Sequence, residues 1–296
     1  MLTVSTFYVD NVYMSKSLRL TTGLMLLALV GAVMGMAVDP RTITGVNAWL
    51  KPAKFAISTA IFSATIAWIF GYLTPSTRLK RLGDTLSAVQ IFEVAVIYLQ
   101  AWRGTTSHYN QTTPLNTVLF AIMGIGIAVL WFATIGVFLA AMREHFDEKA
   151  WGWALRLGLL ITVIGSAAGG MMIAHQAHTV GALDGGPGIP GVGWSTVHGD
   201  LRIAHFFGLH GLQAIPFFAW LIRKRRRATT LVFTAAGSYL AFIAILTWQA
   251  WRGESIVQPG AETLTALVIW LFVTVGVLAS SQMEGSHESR PAIQNL

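Results

Sequence analysis

No cysteine occurs in the 296 residues. Disulfides, thiolate metal sites and iron–sulfur clusters are therefore excluded. Charge is also scarce: Asp, Glu, Lys and Arg make up 11% of the chain, against 54% hydrophobic residues. With a mean hydropathy of +0.60, this composition excludes an ordinary soluble domain and predicts a polytopic membrane protein. The formal charge of +7 does not point to nucleic acid, because the cations lie in short connections between apolar runs. The N-terminus lacks an early basic cluster and carries Asp10, so a short tail with an interfacial segment is expected there, not a cleaved signal peptide.

A spanning helix needs about 20 mostly apolar residues. Eight such runs are present, at 18–38, 52–74, 84–103, 115–142, 152–178, 201–222, 229–250 and 261–281. The expected fold is all-α, a bundle of eight transmembrane helices. The Gly- and Pro-rich stretch at 179–200 reads as an irregular loop. With the N-terminus inside, 14 of the 20 basic residues, the run Arg223–Arg227 among them, fall on the inner side. Arg41, Lys51, Lys54, Arg103, Arg202 and Arg252 fall on the outer side. The asymmetry predicts cytoplasmic termini in a bacterial inner membrane.

The pentapeptide "QAWRG" occurs at Gln100–Gly104, ending helix 3, and again at Gln249–Gly253, ending helix 7. "KPAKF" at the start of helix 2 aligns more weakly with "RIAHF" at the start of helix 6. Convergence of interface residues would account for either match alone. Together they predict two four-helix halves, 1–150 and 151–296, related by a pseudo-two-fold along the membrane normal.

The polar residues gather on the expected outer side. His175 and His178 are three apart at the end of helix 5 and would share a face. His205 and His210 on helix 6 diverge by about 140°, with Arg202 and Gln213 in the arc between. These four imidazoles are the candidate metal ligands. Glu93 sits mid-membrane on helix 3, where a carboxylate is expensive unless paired. It is read either as a proton-transfer group or as an interhelical hydrogen-bonding partner, with Gln213 the expected mate. Arg103 and Arg252 hold equivalent repeat positions; taken singly each is an interfacial anchor beside a Trp. As a matched pair, with Arg202, Lys51 and Lys54 near the same layer, they suit haem propionates or a substrate carboxylate. His108 and Asn110 either cap this site or cap helix 4.

Four accounts fit these residues. The first is a redox protein holding haem b in the second half, through one of His175/His178 and one of His205/His210. The second is a non-haem iron, copper or zinc site, with Met171 or Met172 favouring copper. The third is a transporter or anion-binding protein, using Glu93 and a basic outer vestibule. The fourth is an assembly subunit. The lipid bilayer is the expected partner, with a quinone or an extracytoplasmic electron-transfer partner in the redox case; the sequence leaves a homo-oligomer open.

The segments "KPAKFAIS", "RGTTSHYN" and "DLRIAHFFGLHGLQAIP" resemble those of a bacterial family of eight-helix membrane proteins. The resemblance spans most of the chain. It implies one ordered site built from these segments and brings no activity with it. The architecture is also similar to duplicated four-helix membrane cytochromes such as haem A synthases and cytochrome b561-like quinol oxidoreductases. In haem A synthases the ligand histidines recur in both halves on even-numbered helices. Here Lys54 stands where the second half has His205, which would leave room for one haem only.

Overall fold

The computed structural model describes residues 15–287, and only the backbone of 281–287. The expected N-terminal interfacial segment and Arg290 lie outside the described residues. Eight helices are long and apolar enough to span a bilayer. They are α1 (Lys16–Val38), α2 (Leu50–Phe70), α3 (Thr77–Trp102), α4 (Pro114–Arg143), α5 (Lys149–His175), α6 (Leu201–Ile222), α7 (Ala228–Trp251) and α8 (Ala261–His287). Two short hairpins complete the described residues: β1 (Thr42–Ile43) with β2 (Val46–Asn47), and β3 (Thr179–Val180) with β4 (Gly199–Asp200).

Helix starts follow their caps. Ser15, Ser76, Thr113 and Asp200 each accept a backbone N–H of the first turn, and Pro114 occupies the first helical turn of α4. α3 begins seven residues before the apolar run, since Ser76 caps it among Arg78, Lys80, Arg81 and Asp84. Hydropathy reads only the part of a helix that sits in lipid. α5 stops at His175 because Gln176 adopts a left-handed φ of 57°. His178 thus lies beyond the helix, and the face-sharing argument for His175 and His178 does not hold for it.

The chain divides into two compact units. The first holds α1–α4 together with 172–178 and 182–195; the second holds 145–171, 179–181 and everything from 196 onward. In the first, α3 packs against α1, α2 and α4. The Tyr98 hydroxyl donates to Ala28 O (2.6 Å), and Gln100 Nε2 donates to Asn116 Oδ1 (3.0 Å). In the second, glycines let α5 and α6 touch backbone to backbone at Gly165 and Gly208. Large apolar side chains such as Leu27, Phe132, Phe217 and Phe272 point outward, as lipid-facing residues do.

The two "QAWRG" segments make the same turn. Gly104 and Gly253 have φ of 73° and 74°. Thr105 N donates to Gln100 O (3.0 Å) and Glu254 N to Gln249 O (3.2 Å). Gln100 Nε2 reaches Thr106 O (3.4 Å), and Gln249 Nε2 reaches Ser255 O (3.0 Å). Glycine adopts this φ without strain, and in both turns a Gln amide bridges to the carbonyl six residues on.

Candidate functional site

A polar cluster lies in the first unit, where the 104–113 connection meets the start of α2. Lys51 and Lys54 are three apart on α2 and share a face, with Phe55 one turn beyond Lys51. Asn110 shapes the connection: its Nδ2 donates to Thr105 Oγ1 and Thr106 O (both 2.8 Å), and its Oδ1 accepts from the Thr112 hydroxyl (2.7 Å). This holds Tyr109 at φ 54°, a conformation L-residues seldom adopt. The strained turn puts His108 among the rings of Phe55, Tyr109 and Phe120, at centroid distances of 5.6, 6.2 and 6.4 Å.

His108 Nδ1 lies 3.0 Å from Ser107 Oγ, and Nε2 makes no hydrogen bond among the described residues. Burial, then the nearby Lys51 charge and then His178, hold its pKa well below the ordinary imidazole range. His108 is therefore neutral at pH 7. Lys51 Nζ sits 5.8 Å from the Phe55 ring centroid, within cation–π range.

The segment after α5 covers this cluster. His178 accepts its position from Asp184: backbone N lies 3.1 Å and Nδ1 2.7 Å from the carboxylate. Its ring meets Tyr109 at 5.1 Å. Lys54 Nζ donates to Val192 O (3.1 Å), and Gly185, at φ 99°, lies against Thr44. Sequence reasoning missed the His178–Asp184 pair and the ring cage. The Lys51/Lys54/Phe55 spacing was a usable signal for the cage. The 176–184 reversal depends on a left-handed Gln, which leaves no pattern.

The remaining candidates make contacts inside their own units. Arg103 Nη1 donates to Gln100 Oε1 (2.5 Å) and Asn116 Oδ1 (2.9 Å). Arg252 pairs with Glu254 and Glu262 and lies over the Trp248 ring. Arg202 makes a bidentate pair with Asp200, at 2.9 and 2.6 Å. His205 Nδ1 meets Gly165 O at 2.8 Å, its ring beside Gly169. His210 Nδ1 lies 3.2 Å from Gln213 Oε1, and its ring lies tilted against Phe206 at 4.4 Å between centroids. His175 and His178 belong to the first unit, His205 and His210 to the second. Among the described residues no three His, Asp or Glu side chains gather in a way that would hold a metal ion. Among the described residues neither Glu93 oxygen is hydrogen-bonded.

These features define a multi-pass helical membrane protein. Comparison with protein-family models, curated proteins and solved structures finds no match.

Proposed function

We propose that the protein binds a small carboxylate-bearing ligand at the Lys51/Lys54/His108 cluster of its first unit, as an anion-binding or anion-transporting membrane protein. The observation that carries this reading is His108: a neutral imidazole, caged by three rings beside Lys51, whose Nε2 makes no hydrogen bond among the described residues. The two ammonium groups attract and more than neutralise a carboxylate, the imidazole supplies a hydrogen bond, and the rings take an apolar or aromatic body. Basic-residue asymmetry supports placing this end on the extracytoplasmic side of a bacterial inner membrane. The matching "QAWRG" turns support two four-helix halves of common origin.

Benzoate is the probe. It is expected to raise the unfolding midpoint of the full-length protein in detergent, because a ligand at about 100 times its Kd adds about 2.7 kcal/mol. Lys54→Met and His108→Asn are expected to remove most of that gain. Unchanged stabilisation in both variants would place the ligand elsewhere.

A second reading rests on His205. Metal-ligating histidines characteristically donate the distal N–H to a carbonyl or carboxylate, and Gly165 O occupies that position on Nδ1. A haem b, or an iron, copper or zinc ion, held there would use Nε2 of His205, with Gln213 and His210 along the same helix. Its test is the absorption spectrum and metal content of protein purified from haem-replete cells. A Soret band, or stoichiometric metal, lost in His205→Ala would support it; their absence from the unmutated protein would remove it.

A further inference from the structure

Glu93 lies midway along α3 and is 4% exposed. Among the described residues neither carboxyl oxygen has a hydrogen-bond partner, and the Ser87 hydroxyl on the same helix is likewise unpartnered. The carboxyl is accommodated by a gap in α4: a Cβ at Gly126 would sit 3.0 Å from Glu93 Oε1. On the α2 side, Ser63 Oγ donates to Gln90 Oε1 at 2.7 Å, one turn from Glu93, so that pair is satisfied without it.

Among the described residues of the first unit no counter-charge faces this point. The charged residues of the helices packed around Glu93 are Lys16 and Arg19 of α1, Lys51 and Lys54 of α2, and Arg143 of α4, all at helix ends. On α3 itself Arg78, Lys80, Arg81 and Asp84 lie more than two turns away. An ionised carboxylate left without cation or donor in a membrane interior costs several kcal/mol. A carboxyl serving only to join helices would be hydrogen-bonded across them, and this one is not.

We propose that Glu93 is a proton-binding site inside the first unit, carrying its proton on the carboxyl in this arrangement and reachable from the apolar phase. The ligand is the proton itself. Release requires water or a donor to reach the oxygens, with the proton passing to that water. The proposal does not depend on the anion reading, since nothing in it involves Lys51, Lys54 or His108.

A protonated, apolar carboxyl reacts with dicyclohexylcarbodiimide. Its O–H adds across one N=C bond: the proton goes to nitrogen and the oxygen to the central carbon. The O-acylisourea then rearranges to an N-acylurea with no leaving group. Full-length protein in liposomes is expected to gain one adduct, mapped by mass spectrometry to Glu93. The adduct should be absent in Glu93→Gln and should not form with a water-soluble carbodiimide. Labelling that spares Glu93, or that persists in Glu93→Gln, would overturn the proposal. The infrared spectrum of the unmutated protein provides a check that needs no variant. The carbonyl band of an un-ionised carboxylic acid is expected at neutral pH, and its absence would equally overturn the proposal.

Discussion

Gly165→Leu is expected to leave no folded protein recoverable after detergent extraction. A Cβ at Gly165 would lie 2.3 Å from Gly208 Cα and 2.5 Å from its carbonyl carbon, and a Cβ at Gly208 would meet Gly165 Cα at 2.3 Å. These contacts are to main chain, so no rotamer change relieves them. One turn along, Thr162 Oγ1 donates across the crossing to Leu209 O (3.2 Å), and Gly158 faces Gly211 O. The crossing is therefore also held close beside the clash. Gly165→Ala alone should cost about 1–3 kcal/mol by overpacking, and an isobutyl group far more. Gly170, on the same helix, has open space where its Cβ would be. Gly170→Leu should behave as the unmutated protein does in fluorescence-detected size exclusion. Equal yields of Gly165→Leu and Gly170→Leu would show that α5 and α6 do not cross as described.

Asp200→Ala is expected to cost about 3–5 kcal/mol, the usual result of removing one partner from a buried pair. Asp200 is 1% exposed, caps α6 by accepting from Arg202 N (3.0 Å), and grips the same residue's guanidinium through both oxygens. Its backbone also pairs with Thr179 in the β3–β4 hairpin. One side chain thus ties the helix start to the strand before it. Loss of the cap alone would cost about 1 kcal/mol; the rest comes from the guanidinium left in a half-buried setting. Asp200→Ala/Arg202→Ala should therefore be less destabilised than Asp200→Ala alone. Thermal unfolding of the three proteins measures this. A double variant destabilised by the sum of the singles or more would show no such coupling.

All eight spans were legible in the sequence, because lipid demands long apolar runs and little else imitates them. What hydropathy hid was the first turns of α3, where Arg78 to Asp84 continue the helix beyond the apolar window. The paired "QAWRG" turns were legible as a repeated string, and their shared φ and Gln bridge give that string a physical reason. The polar site was only half legible. His108, Lys54, His178 and Glu93 were picked out by residue type and depth. The grouping was not foreseen, since helical spacing assigned His178 to a face of a helix that ends three residues before it. The Asp184 that holds it lies in a glycine-rich loop, where spacing carries no geometry. Arg202 looked like an anion ligand because the Asp two residues earlier was not recognised as its clamp.

The central claim is that the Lys51/Lys54/His108 cluster takes a carboxylate. It is tested most directly by comparing benzoate with benzylamine, its cationic counterpart, and with benzyl alcohol, its neutral one, at equal concentration in thermal unfolding of the intact protein. The account predicts a raised midpoint with benzoate alone, diminished in Lys54→Met and His108→Asn. Equal stabilisation by benzylamine, or none by benzoate, would contradict it.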